Sequence, residues 1–532
     1  MTLETNMNEL ATQKATLDRY ARAQQRRSAW TGFWDECYEF ALPQFGGSAS
    51  PHRAAATKID RLFDGTAPDA VDQLAATLLA HVTPPSSRWF ALDVGPDVDA
   101  AHGQITAAEL ERSTRLLHSH FERSNFAVEI HQCFLDLVTA GTASLLFEEA
   151  AAGNPSAFRL AAVPLAQIAL EEGEDGRLDA TFRKTQLSLS QVLARFPNAQ
   201  CIDDIRKLAL NDPNASIGVL EAVTPEDGGY SYLAFAETSV CPASGMRILA
   251  NGHFRASPFI NFRWSKAPGE IYGRSPVMKA LPDIKTANKA VELVLKNASI
   301  AVTGIWQADD DGVLNPATIK LVPGTIIPKA VGSAGLKPLE APGRFDVSEI
   351  VLDQVRSRIR KALLVDQLGF VNGPRMTATE VLERSAEMAR VLGATYGRLQ
   401  SEFLVPLLRR AIAILTRRGE IADIPVDGRI ATINFTSPHA RHQAQHDAHN
   451  TMLWLSAVRE MGSEAFAIVD QVAAAKWLGR AFSVPGELIR DNDLMSGRAA
   501  EASRQIDASV LGPDEVVDPQ AEALDLPLSG ES

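Results

Sequence analysis

The sequence predicts a mixed α+β protein that is predominantly helical and built from several packed units. Three observations carry this. The 532 residues exceed what one hydrophobic core organises. Long stretches with apolar residues at helical spacing occupy both ends of the chain. Between residues 143 and 264, short β-type runs alternate with Gly, Pro, Asp and Asn clusters.

Residues 8–41 read as helix. Leu17, Tyr20, Trp30, Phe33, Trp34 and Tyr38 stand apolar among Arg and Glu, and Pro43 with Gly46-Gly47 stops it. Residues 69–80 carry Val71, Leu74, Leu78 and Leu79 on one face. The turn Thr83-Pro84-Pro85-Ser86-Ser87 closes that helix, and 89–92 reads as a strand. Residues 105–141 are helical, ending at Gly141. The β-type runs are 144–147, 158–160, 178–185, 217–223, 230–235 and 259–264.

Ser275-Pro276 supplies an N-cap and an N1 proline. The helix it opens places Ile284, Ala287, Val291, Val294, Leu295 and Ala298 on one face. Residues 303–345 are β-like and rich in Gly and Pro. Asp346-Val347-Ser348-Glu349 resembles a capping box, with Asp in place of Ser or Thr. It starts a helix with Leu352, Val355, Ile359 and Leu363 on one face. Residues 369–376 read as a loop. Residues 377–418 are helical over ~60 Å, with bend points at Gly393, Gly397 and Pro406. Strand pattern returns at 420–436 and helix at 438–500. The tail from Gln505 holds seven acidic residues and no basic one, and reads as disordered.

The formal net charge of −13 argues against wrapping nucleic acid by neutralising phosphates, but not against letting DNA slide past. No apolar run of about 18 residues exists, so no membrane span is expected. Cys37, Cys133, Cys201 and Cys241 are far apart and read as reduced thiols, not as a zinc site or disulfide framework. The nearest approach to a phosphate loop, Gly269-Glu270-Ile271-Tyr272-Gly273-Arg274-Ser275, has one residue too few between its glycines and Arg in place of Lys. Asp309-Asp310-Asp311-Gly312 lacks the alternate spacing and closing Glu of a calcium loop. His439, His442, His446 and His449 fall near one helix face, where an i, i+4 pair can chelate a metal. Gln443-Ala444-Gln445 supplies no general base, and polar neighbours favour a solvated face. No nucleophile elbow appears. The sequence offers no catalytic residue, no cofactor site and no metal site.

Two stretches resemble the head-to-tail connector (portal) family of podovirus-type phages. The first is Arg61-Leu62-Phe63-Asp64-Gly65-Thr66-Ala67, continuing through Leu74-Ala75 and Leu78-Leu79 to Thr83-Pro84-Pro85-Ser86-Ser87-Arg88-Trp89-Phe90. The second is Met376-Thr377-Ala378-Thr379-Glu380-Val381, continuing through Gly397-Arg398-Leu399-Gln400-Ser401-Glu402-Phe403-Leu404 to Pro406-Leu407. Tyr272-Gly273-Arg274-Ser275-Pro276 and Leu281-Pro282-Asp283-Ile284 fit between them. The resemblance spans roughly residues 10–460, and the order of the pieces makes it specific.

The resemblance implies a portal fold: a dodecameric ring at one capsid vertex of a virion, made in the cytoplasm of a bacterial host. Double-stranded DNA would pass through its axial channel during packaging and ejection. Partners would be the terminase large subunit, the major capsid and scaffold proteins, and later the tail adaptor proteins, with no membrane. The parts would be wing (1–275), stem helix (276–302), clip (303–345), second stem helix (346–366), channel loop (367–376), wing again (377–437), crown (438–504) and acidic tail (505–532). A non-portal scaffold or minor head protein would share the helical content without that order. A metal-dependent hydrolase would use the histidine cluster.

Leu352, Val355 and Ile359 are candidates for the interface between subunits. Arg356 and Arg360, with Arg358 and Lys361, form a candidate belt facing DNA, and Arg375 joins them from the loop. Ion pairs to carboxylates such as Asp283 or Glu292 on a neighbouring helix explain the belt equally well. Gly369, Phe370, Val371 and Gly373 are gate candidates, because two glycines free the backbone and Pro374 limits it on one side. Deleting Asn372 and Gly373 is expected to leave rings intact while changing DNA packaging or retention. Normal packaging and retention would remove the gate, and failed assembly would make the loop structural.

Overall fold

The computed structural model describes residues 2–45, 61–85, 87–95, 107–199, 202–212, 214–236, 248–303, 306–307, 337–338, 345–365, 393, 395–425, 431–435, 438–462 and 468–482. Predominantly helical with several small sheets, it divides into two units, Met1–His442 and Gln443–Ser532.

Helix α1 (Thr2–Ala41) buries Trp34, Cys37, Tyr38 and Ala41, the spacing of one helical face. Helix α2 (Thr66–Val82) buries Val71, Leu74 and Leu78, and strand β1 (Phe90–Val94) comes after the proline turn. The single helix expected over 105–141 is two, α3 (Ala107–Arg123) and α4 (Phe126–Ala140). The chain breaks at Ser124-Asn125. Ser124 Oγ accepts the Phe126 N–H at 3.2 Å, and Asn125 exchanges hydrogen bonds with the Leu160 backbone at 2.7 and 3.1 Å. Those local side-chain bonds compete with the helix and win.

Gly141 ends α4 in the left-handed region (φ 78°), donating to Leu137 O. A Cβ there would fall 2.4 Å from Gly273 O, so two backbones meet where only glycines fit. The sheet region then runs through β2 (Thr142–Glu149), β3 (Phe158–Ala162), β4 (Ile168–Glu171) and β5 (Ala180–Ser188). Helices α5 (Leu189–Arg195) and α6 (Ile202–Asn211) interrupt it before β6 (Ser216–Glu226), β7 (Gly229–Ala236), β8 (Ile248–Phe254) and β9 (Phe259–Arg263). Two antiparallel sheets result, ordered β3-β2-β9 and β4-β5-β6-β7-β8. Ser188 and Gln191 make a reciprocal capping box that starts α5.

Helix α7 (Pro276–Thr303) begins as its sequence predicts, with Ser275 Oγ accepting the Met278 N–H at 2.9 Å. Two-residue strands β10 (Trp306–Gln307) and β11 (Lys337–Pro338) pair with each other, and α8 (Phe345–Ala362) comes next. Of the long helix expected over 377–418, residues 393 and 395–418 are described. A π turn at Gln400–Leu404 precedes α9 (Val405–Arg417), so the irregularity lies between the predicted bend points Gly397 and Pro406. Its cause is Arg263, which is fully buried at the end of β9 and must be neutralised. Glu402 in the π turn accepts from Arg263 Nη2 at 2.6 Å, from its Nε at 3.2 Å and from its backbone N–H at 3.0 Å. The wider turn lets Glu402, Phe403 and Leu404 all face inward, more than one α-helical face accommodates. Strand β12 (Ala431–Phe435) returns to pair with β1. The second unit holds most of α10 (Pro438–Glu460) and all of α11 (Gln471–Ala481), so the helix expected over 438–500 is interrupted after Glu460.

Asp136 on α4 accepts the Tyr38 hydroxyl at 2.7 Å. Burial pushes its carboxyl up to about 7, against the opposing pull of the Tyr38 bond. A carboxyl raised in the folded state stabilises most below its ordinary value, and that stability is lost as pH rises through about 7. Asp136→Asn keeps the acceptor and removes the ionisation. It is expected to raise stability at pH 8 by about 1 kcal/mol or more and to flatten the decline between pH 4 and 8, read by thermal melts across pH.

Candidate functional site

Helices α7 and α8 form an antiparallel hairpin that is half inside the body and half outside it. On α7, Val277, Leu281, Ile284 and Ala287 are buried, whereas Leu293 and Leu295 are about half exposed. On α8 the order reverses: Ile350 and Val351 are exposed, then Val355, Ile359 and Leu363 are buried. Arg358 pairs with Asp283 across the hairpin at 2.6 Å, which sets the register. Leu293, Leu295, Ile350 and Val351 therefore lie at similar heights beyond the body.

The boundary is clamped by one short loop. Asn288, on α7 where burial ends, accepts the backbone N–H groups of Phe63 and Asp64 at 2.7 and 3.1 Å and donates to Arg61 O at 3.0 Å. Arg356, on α8 where burial begins, gives Nε and Nη2 to Asp64 Oδ2 at 2.9 and 2.8 Å. The other oxygen of Asp64 accepts the Thr66 N–H at 3.0 Å at the start of α2. Burial alone raises the Asp64 carboxyl, but the bonds from Thr66 and Arg356 outweigh it and hold the carboxyl below its ordinary value.

The candidate residues divide accordingly. Val355 and Ile359, expected between subunits, are 7% and 1% exposed in a single chain, because α7 and the body already cover them. Leu352 is half-buried against the same core. Arg356 is committed to Asp64, and Arg360 is exposed on the outer face of α8. Asp283 pairs with Arg358 of the belt, whereas Glu292 is held by Lys289 and Lys296 on its own helix at 3.0 and 2.6 Å. Gly369, Phe370, Val371, Gly373 and Arg375 lie outside the described residues, as do the side chains of His439, His442 and His446. Among the described residues no group of three His, Cys, Asp or Glu side chains is placed to hold a metal. No described helix is long and apolar enough to cross a membrane.

Sequence reading marked the Asp64 segment but missed Asn288 and the clamp. The partners lie 225 and 292 residues from the loop, and nothing local signals the pairing. The family described as bacteriophage head to tail connecting protein matches residues 13–489. The chain belongs to that family. It is 25% identical over 498 residues to a probable portal protein of Bordetella phage BPP-1, covering 88% of this chain and 87% of the relative. It is also 22% identical to the portal protein of Salmonella phage epsilon15, covering 93% and 91%. Among solved structures, the virion of a native gene transfer agent particle matches with a TM-score of 0.36 at 13% identity, over 80% of this chain and 93% of that one.

The clamp makes a connector subunit's stability depend on Asp64. Its lowered carboxyl contributes stability above the ordinary carboxylate value, and this is lost as pH falls through the folded one. Asp64→Asn is expected to cost about 2 kcal/mol at pH 7 and less in acid. A double-mutant cycle with Arg356→Gln is expected to give a coupling of about 1 kcal/mol or more by chemical denaturation. Additive losses would dissolve the clamp.

Proposed function

We propose that the chain is a portal subunit, twelve copies of which close into a ring at one capsid vertex, with double-stranded DNA passing along the axis. One observation carries the reading: the projecting half of the hairpin leaves Leu293, Leu295, Ile350 and Val351 uncovered at similar heights on both helices. Exposed apolar surface of this kind marks an interaction site, and copies of the same hairpin arranged around an axis would cover it. Met452, Leu453 and Trp454 on α10 and Trp477 on α11 are also exposed, which supports a second contact ring in the Gln443–Ser532 unit.

The wing, stem, clip and crown divisions accord with this reading, with the α7–α8 hairpin as stem and β10–β11 in the clip. The channel would hold DNA weakly. Lys289 and Lys296 share Glu292, Arg358 has Asp283 and Arg356 has Asp64, so these cations arrive already paired. A wall of balanced charge releases few counterions from DNA and lets it slide. Arg360 and Arg375 remain the candidates to face the duplex, and 369–373 the candidate gate. The protein would be a structural component of the virion, docking the terminase large subunit, scaffold and capsid proteins, and then tail adaptors.

Electron microscopy and mass measurement of the purified full chain are expected to show closed rings with a central hole; a compact monomer would refute the reading. Leu295→Asp with Val351→Asp is expected to give folded monomers with a melting temperature within a few degrees of the isolated wild-type subunit. Val355→Asp with Ile359→Asp, inside the core, should instead unfold the subunit, costing several kcal/mol. Intact rings from the first pair would move the interface elsewhere.

A further inference from the structure

We infer that the Asp64 clamp fixes the pitch of the α7–α8 hairpin against the body and thereby selects how many subunits close the ring. This rests on the proposed ring. In a closed ring each subunit meets its neighbour at one rotation, about 30° for twelve copies and about 28° for thirteen. A subunit that touches its neighbours through both a hairpin and a body must satisfy that rotation at both places. The angle between hairpin and body is then the quantity that distinguishes one ring number from the next.

The geometry meets the tolerance this requires. Beyond Asn288, α7 continues to Thr303, a lever of roughly 22 Å at about 1.5 Å per residue. A change of ~2° in its pitch moves the tip by ~0.8 Å. The buried half of α7 is held at both ends, at Ser275 and at Asn288, about 20 Å apart at about 1.5 Å per residue, so a spread of about 0.5 Å in those hydrogen bonds limits the pitch to roughly 1.5°. Asn288 and Arg356 are placed there, at the last buried turn of one helix and near the first of the other, and both grip Phe63-Asp64. Lys285, one turn before Asn288 on α7, adds a 2.6 Å tie to Glu36 of α1. Asp64 also starts α2, so the clamp fastens the hairpin to the body's own helix and not to a free loop.

Native mass spectrometry of full-length wild type, Asn288→Ala, Arg356→Lys and Ile359→Ala tests this. Arg356→Lys keeps the charge and loses the two-nitrogen grip, while Ile359→Ala weakens α8 from inside the core without touching the clamp. The two clamp variants are expected to spread over neighbouring ring numbers, shifting by about one subunit. Ile359→Ala should keep the wild-type number despite an equal or larger fall in melting temperature. An unchanged ring number in both clamp variants would overturn the inference, and so would an equal shift in Ile359→Ala, which would make ring number track stability alone. Absence of rings from the wild type would sink the ring reading itself, and this inference with it.

Discussion

Arg263 is the point at which the chain's distant parts are tied together. Its side chain has no solvent contact, so every donor it carries must be met inside the protein. Glu402 meets Nε and Nη2, Gly176 O accepts from Nη2 at 2.8 Å, and Ile271 O accepts from Nη1 at 2.9 Å. Those partners come from the C-terminal helical stretch, the β4–β5 connection and the segment leading into α7. Arg398, one turn ahead, adds a second guanidinium to Glu402 at 3.1 Å. Removing either member would leave a buried charge with only its second partner, Arg398 for Glu402 and Glu172 at 3.3 Å for Arg263, which costs more than the pair contributes beyond an apolar substitute. The pair thus specifies where α9 docks and makes a regular α-helix through residues 400–404 the worse solution.

That docking also fixes the segment between β9 and α7. Gly273 is pressed against Gly141, its N–H donating to Thr142 Oγ1 at 2.8 Å, and Ser275 donates to Thr139 O at 2.8 Å while capping α7. The start of α7 is therefore bound to the end of α4 and the start of β2 by backbone contacts that tolerate no Cβ. The other end of its buried half is held by Asn288. Between the two, Pro282 interrupts the helix ladder without freeing the helix, because Leu281 and Ile284 on either side are packed in the core.

The helices of the hairpin were legible because their signals are local: Ser275-Pro276 at the start of α7, and apolar residues three and four apart on both. Periodicity reports that a face is apolar and not what covers it. The stripe Val355–Ile359 reads as a contact between subunits, but the subunit's own core covers it. The uncovered residues Leu293 and Ile350 fall off the stripes of the two helices, while Val351, at i−4 from Val355, continues the α8 stripe beyond the clamp. The basic residues of α8 were legible as charges, and Asp283 was legible as a possible partner and holds Arg358, but Asp64, which reaches Arg356 across 292 residues, was not. The π turn was invisible for the same reason. Glu402 looks like any helix-surface glutamate until β9 brings Arg263 beneath it.

The distribution of apolar surface is a consequence of these ties. Within Met1–His442 the large apolar side chains of α1, α2, α4 and α9 close into one continuous cluster, and the hairpin joins it only as far as the clamp. Past the clamp, Leu293, Leu295, Ile350 and Val351 stay about half exposed, so the isolated subunit gains only part of what their full burial would contribute. Fully burying such a side chain stabilises by roughly 1.5–3 kcal/mol, so the stability withheld from the monomer is held for whatever covers the hairpin. In the proposed ring, a core that closes within one chain and a projecting element completed by contact would make folding precede association. The body presents the hairpin already oriented, and covering it then costs little conformational entropy, because both helices are held at their base before a partner arrives.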